Sequence, residues 1–564
     1  MGKTTCEEEQ LEEIGKAVSD AVQEAWRKSF EDKIAKPLDL SSHSSNVYLE
    51  AKRQIEQHLD IQWLFQALSD NSDAAYRRAY DELNKNLNAL KNTRPFHTSE
   101  ERGRKCSLDG ERNVIFYRLS QGQIIREKDN APLYSTTNFV FGYDDKHTII
   151  KLRHLQPGEG LSAVSMLKRY SDFDHANFPS TAEFALADMM KAVRSIPAGE
   201  MAFLEMLKHF KANEDELNWQ VFYDENLNDN YFKKQGLKVS VGEAKKIQSK
   251  ITNIAKGLDK SRNLEKYYAL VVFDGDHMGK WWKGDRIKNE ERLEDFHRDL
   301  TAKLADFARL VSEEYPKENQ HRGWIIYAGG DDFLGFFNLH HLTDAINFLR
   351  NTYHDAVHVP LAHRIDNDHT LTFSAGVCIV HYKEPLSLVL AQAREMEHMA
   401  KELDERKKNA IGLGVIPGSG QVAKVVLPFD EFANLGIVIS NLQIYDPVLQ
   451  KPCFSNAFVS KARTELAAFS DKNGKLIDEL VPTAQKLLDR AVSRACNLIK
   501  NDNETEEDFQ KRKSNKVLPL QNAVKALLDA NGNKLDAFFD ALDIADFIER
   551  QTHISVNNPE PSNV

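Results

Sequence analysis

The sequence predicts an α+β protein of several domains, organised around one βαββαβ unit spanning residues 265–408. Three observations predict it. The apolar run at 267–273 stops on Asp274-Gly275-Asp276, the pattern of a buried strand ending at a site. Two further apolar runs, 324–327 and 333–337, flank Gly329-Gly330-Asp331-Asp332, which reads as a β-hairpin with its tip at the glycine pair. Between these elements Phe296, Leu300, Leu304, Phe307 and Val311 recur at three-to-four-residue spacing, the signature of a packed crossover helix.

The rest of the unit follows. Residues 342–353 have a helical pattern, 371–380 read as a buried strand, and a helix beyond Pro385 ends near Ala400-Lys401. This is the plan of a ferredoxin-like palm, in which the strand ending on Asp274 and the hairpin are sheet neighbours. Successive strand residues point to opposite faces, so Asp331 and Asp332 share one site only if the turn is distorted, which Gly330 allows. Carboxylates from two strands suit a hard divalent cation such as Mg²⁺, which prefers oxygen ligands and neutralises a triphosphate. Ser374 and Gly376 are small enough for a nucleotide to approach the sheet. Lys401 is either a point charge for a triphosphate or a solvated helix residue. Gly275 to Lys280 is one residue too short for a phosphate loop and lacks the Ser or Thr after Lys.

Outside this unit the chain carries little chemistry. Residues 1–112 read as a helical region with a basic connector, with Ile14, Val18, Val22 and Trp26 on one helix face and Ile61, Leu64, Phe65 and Leu68 on another. Residues 113–260 read as an α+β unit with strands at 139–143 and 148–152, and a capping signature from Ser180 to Glu183. Residues 409–440, with Gly412, Gly414, Gly418 and Gly420, read as a loop and strand closing a unit that spans 261–440. Residues 441–564 are helical at 487–498, 520–528 and 535–548, with a polar tail from Thr552. His354-Asp355 falls on an amphipathic segment and reads as a solvated face.

Bulk numbers set outer limits. At 564 residues the chain exceeds a single core, and a net charge of −11 provides no global field for nucleic acid, so any such contact would come from local basic patches or partner subunits. The five cysteines form no Cys-x-x-Cys pair, which argues against structural zinc and disulfides and suits a reducing cytoplasm. No long apolar run or signal sequence is evident, so a soluble protein without a membrane partner is expected.

Taken together, Asp274-Gly275-Asp276-His277-Met278-Gly279-Lys280, Tyr327-Ala328-Gly329-Gly330-Asp331-Asp332 and Ser374-Ala375-Gly376-Val377 resemble the large polymerase-like subunit of type III-B (Cmr) CRISPR effector complexes. The segments 105–112, 157–159, 168–169 and 178–181 agree with that family, so the resemblance runs over about 90–408. It implies two palms, the first degenerate and the second active, in a complex with other type III-B subunits, guide (crRNA) and target RNA. It implies nucleotidyl transfer from ATP with two Mg²⁺ or Mn²⁺ ions held by Asp274, Asp331 and Asp332. Gly275, Gly329, Gly330, Ser374, Gly376 and Lys401 would then line the nucleotide. The product would be a cyclic oligoadenylate or AMP joined to a small molecule such as S-adenosylmethionine. His43, His58 and His97 are the only histidines before Arg112 and none precedes Asp, so the family's His-Asp nuclease is not expected. Two other readings stay open: a stand-alone diguanylate or nucleotide cyclase, against which Asp-Asp-Phe-Leu and the flanking domains count, and a non-catalytic scaffold.

Overall fold

The computed structural model describes residues 7–43, 45–93, 103–118, 141–143, 155, 158–170, 179–214, 217–235, 237–258, 264–319, 322–403, 408–416, 423–446, 451–501 and 503–552. Contacts divide the chain into two compact units, Met1–Phe178 with Met206–Lys245, and Pro179–Glu205 with Lys246–Val564.

In the first unit, helix α1 (Glu8–Phe30) is followed by α2 (Ser45–Glu56) and α3 (Asp73–Asn92). Strands β1 (Phe116–Arg118), β2 (Phe141–Tyr143) and β3 (Gly160–Leu161) form a small sheet in the order β2-β1-β3, followed by α4 (Ala163–Tyr170). Phe30, Ile34, Val47, Ile55, Phe116 and Met166 share its core. The connector at 105–112 is tied in by Asp109, which accepts from Ser162, Ser165 and the Glu111 and Arg112 amides. Burial opposes ionisation there, but these bonds prevail and hold its pKa down to about 2.

Two expectations for this unit need correction. Ile14, Val18 and Val22 are exposed rather than packed, because α1 buries the neighbouring stripe instead, with Trp63 lying against Gly15. Residues 61–68 are not helical. They run as an irregular segment whose Trp63 meets α1, and Gln23 Nε2 donates to the Leu59 carbonyl just before it (2.9 Å), so tertiary contact overrides the helical spacing. The expected strand at 148–152 lies outside the described residues, as does much of the first palm-like region.

The second unit contains α5 (Thr181–Arg194), entered through the expected capping box of Ser180 and Glu183. Its sheet is built from β4 (Tyr267–Gly275), β5 (Gly323–Gly329), β6 (Asp332–Asn338), β7 (Phe373–His381), β8 (Ala410–Ile416) and β9 (Ala423–Pro428), in the order β5-β6-β4-β7-β8-β9. The first four strands have the order of a ferredoxin-like βαββαβ unit. Helix α6 (Leu293–Asn319) is the crossover, with Phe296, Leu300, Leu304, Phe307 and Val311 all buried. Helices α7 (Leu342–Tyr353) and α8 (Leu386–Lys401) complete the unit. Phe273 stacks on Phe333 and Phe373, at 4.8 and 4.0 Å between ring centroids, and so locks the three central strands beneath the site.

Past the palm the structure differs from the loop and strand expected at 409–440. β8 and β9 are two strands, and α9 (Phe429–Gln443) runs across position 440. Gly418 and Gly420 lie outside the described residues. Helices α10 (Ala457–Ala467), α11 (Val481–Ala495), α12 (Glu506–Ala530) and α13 (Leu535–Thr552) follow, and α13 packs on β9 and α9 within the same unit. No helix among the described residues is long and apolar enough to cross a membrane.

Candidate active site

The hairpin turn sits one residue later than the sequence suggests. Gly329 pairs with Asp332, so the two-residue turn is Gly330-Asp331 rather than Gly329-Gly330. Gly330 has φ +64° with open space around it, and a glycine in the left-handed region at the first turn position suits a two-residue hairpin. This places Asp331 in the turn, free of strict alternation, and Asp332 on the first strand position.

Asp274 is the register partner of Asp332 across the β4–β6 pairing. Directly opposed antiparallel residues have Cβ atoms about 4.5–5.5 Å apart. The Gly275 amide donates to the Asp331 carbonyl (3.0 Å), and a Cβ on Gly275 would lie 2.8 Å from the Asp331 Cβ. Gly275 is therefore what allows the hairpin turn to close on the end of β4.

The electrostatics follow from this crowding. Burial and the neighbouring Asp274, Asp331 and Glu397 charges push the Asp332 carboxyl up to about 6. Burial and Asp274 likewise raise Asp331, with Lys401 opposing. Lys401 donates to Asp274 and to Glu397 Oε1 (2.8 Å), with a fifth of its side chain exposed. Burial disfavours its charge, but these two carboxylates outweigh that and raise its pKa. Lys401 is thus a paired residue of the site rather than a solvated one.

Three residues expected to line the nucleotide are placed against protein groups. Ser374 is fully buried and donates to Asp276 Oδ1 (2.8 Å), so it faces that carboxylate and not an open nucleotide surface. A Cβ on Gly376 would lie 2.0 Å from the Ala393 carbonyl and 2.4 Å from the Glu397 amide. Gly376 therefore seats α8 on the sheet and, in doing so, delivers Glu397 and Lys401 to the carboxylates. A Cβ on Gly329 would meet the Tyr327 hydroxyl at 2.7 Å, the far end of an exposed side chain. Glu397 and Lys408 were missed, and Asp276, though part of the Asp274-Gly275-Asp276 motif, was given no role. The Glu397–Lys401 i,i+4 spacing was a local signal for Glu397.

Among the described residues no three His, Cys, Asp or Glu side chains form a ready-made metal cluster. Mg²⁺ sites in phosphoryl transfer use one or two carboxylates completed by substrate phosphates and water, not an all-protein cage. The donor set fits such an ion: Asp274 lies beside both Asp331 and Asp332, and burial together with its charge makes those two resist ionisation.

A family model described as Cas10/Cmr2, second palm domain, matches residues 267–412. Residues 267–412 are thus similar to the Cas10/Cmr2 second palm domain. The CRISPR system Cmr subunit Cmr2 of Pyrococcus furiosus is 28% identical over a match covering 29% of this chain and 20% of that protein. The chain thus matches only a fifth of this relative's length. A type III-B Cmr-beta structure in the apo state aligns with TM-score 0.54 at 15% identity, covering 90% of this chain and 66% of that one. One bound to cognate target RNA aligns with TM-score 0.53 at 13% identity, covering 97% and 70%. These two structures share a fold with this chain over most of its length.

Proposed function

We propose that this chain is the polymerase-like subunit of an RNA-guided type III CRISPR effector complex. It would work with other type III-B subunits, guide RNA and target RNA, and convert ATP into a nucleotide messenger when target RNA binds. The observation that carries this reading is the convergence of Asp274, Asp331 and Asp332 beside Lys401 in a Cas10/Cmr2 palm. Asp274, Asp331 and Asp332 would hold Mg²⁺ or Mn²⁺, which when bound lowers the pKa of an attacking hydroxyl and neutralises the leaving pyrophosphate. Lys401, anchored by Glu397, balances the carboxylate charge and is placed to meet a phosphate once Asp274 turns to a cation. The acceptor is a second ATP, leading to a cyclic oligoadenylate, or a small molecule such as S-adenosylmethionine.

The deciding experiment incubates the assembled complex with guide, labelled ATP and Mn²⁺, with and without target RNA and S-adenosylmethionine. Labelled product that appears only with target RNA and is lost in Asp331→Ala/Asp332→Ala supports the proposal. Product from the isolated chain with GTP would favour a stand-alone cyclase. No product under any condition would leave a scaffold.

A further inference from the structure

Segments distant in the chain meet at one buried carboxylate. Asp276 is 1% exposed. Its Oδ1 accepts from Ser374 Oγ (2.8 Å), and its Oδ2 accepts from Thr372 Oγ1 (2.8 Å) and the Asn409 amide (2.9 Å). Its own amide donates to the Thr372 carbonyl (2.8 Å), and its carbonyl accepts from Trp281 Nε1 (3.1 Å). Every polar group of this residue is therefore engaged by protein.

The partners are informative. Thr372 immediately precedes β7, and Ser374, its second residue, is the register partner of Asp274. Lys408 and Asn409 both adopt left-handed φ, 66° and 50°, a conformation non-glycine residues hold only when their surroundings fix it. The bond from the Asn409 amide to Asp276 supplies that constraint. Lys408, next to Asn409, is within electrostatic reach of Asp276 first and of Lys401 and Asp274 after it.

We propose that Asp276 is a positioning residue of the phosphoryl-transfer site. By clamping the loop after β4 to the start of β7 and to the 408–409 turn, it sets the direction of Asp274 and holds Lys408 beside it. It is not itself a cation ligand, because both its oxygens already accept from donors in a sealed environment. The inference rests on the reading of the site under Proposed function.

The test measures Mn²⁺ affinity of the full chain with a non-hydrolysable ATP analogue, from the electron paramagnetic resonance of free Mn²⁺, together with thermal unfolding. Asp276→Ala is expected to weaken Mn²⁺ binding about tenfold, the usual cost of losing an outer partner of a ligand. Asp276→Asn is expected to stay within about threefold of the parent, since its carbonyl can serve Asn409 and Thr372 while the Ser374 hydroxyl turns to accept. An Asn variant as weak as the Ala variant would make Asp276 a ligand and overturn the inference. Unchanged affinity in Asp276→Ala would overturn it too. Where Asp276→Ala does not fold, Ser374→Ala carries the test, with about threefold weakening expected and none being the contrary result. Asp274→Asn is the control: if it leaves Mn²⁺ binding intact, the site reading itself fails and this inference with it.

Discussion

Asp274 and Asp332 stand directly opposite each other in the antiparallel pairing of β4 with β6. Like charges at such positions destabilise a sheet unless something relieves them. Here relief comes from a raised Asp332 pKa and from Lys401 on Asp274. A divalent cation would relieve the same repulsion, which links stability, pH and metal binding at one place.

Stability should carry a signature of this pair. The folded pKa of Asp332 lies near 6, above its ordinary value of 3.8, so the folded state binds more protons between those limits. This contribution is fully present below about pH 4 and is lost as pH rises through about 6. In urea titrations of metal-free protein, Asp332→Asn should abolish the part of the fall in stability seen between pH 4.5 and 7 that the parent shows. A parent and variant with identical pH profiles would contradict the assignment.

Metal affinity should move in the opposite sense. Roughly a quarter of Asp332 is ionised at pH 5.5, so Mn²⁺ should bind about fourfold more weakly there than at pH 7.5. Calorimetric titration at both pH values checks this. Asp332→Asn should bind weakly at both, with the pH step flattened.

Gly376 has no room for a side chain, because backbone atoms of α8 occupy it. Gly376→Ala should destabilise by about 1–3 kcal/mol through overpacking, measured as a lower urea midpoint with an unchanged slope. Displacement of α8 also moves Lys401, so product formation should fall beyond the stability loss. A fully active, equally stable variant would show that α8 sits elsewhere.

Lys401→Met leaves Asp274 and Glu397 without their shared cation. The loss should be about 1–2 kcal/mol, because a partly buried carboxylate pair loses its donor. Urea denaturation of parent and variant checks it. An unchanged midpoint would show that these ion pairs do not stabilise the fold.

The palm was legible in the sequence because its signals are local. Five apolar residues from Phe296 to Val311 define one helix face, and a strand that stops on Asp274 differs visibly from one that runs on. At 61–68 local spacing misled, since an irregular segment against α1 can place apolar residues three and four apart without being a helix. The exposure of Ile14, Val18 and Val22 shows the same limit, because periodicity does not say which apolar stripe finds a partner.

What the sequence determined by itself was the order of strand, helix and hairpin, and the presence of three carboxylates at strand ends, because both follow from short-range pattern. Only the tertiary structure decided what surrounds them. Gly376 serves a helix seat, Ser374 faces Asp276, and Lys401 is held by Asp274 and Glu397. The physical reason is that a small or charged residue has no meaning of its own until long-range packing fixes which atoms fill the space beside it.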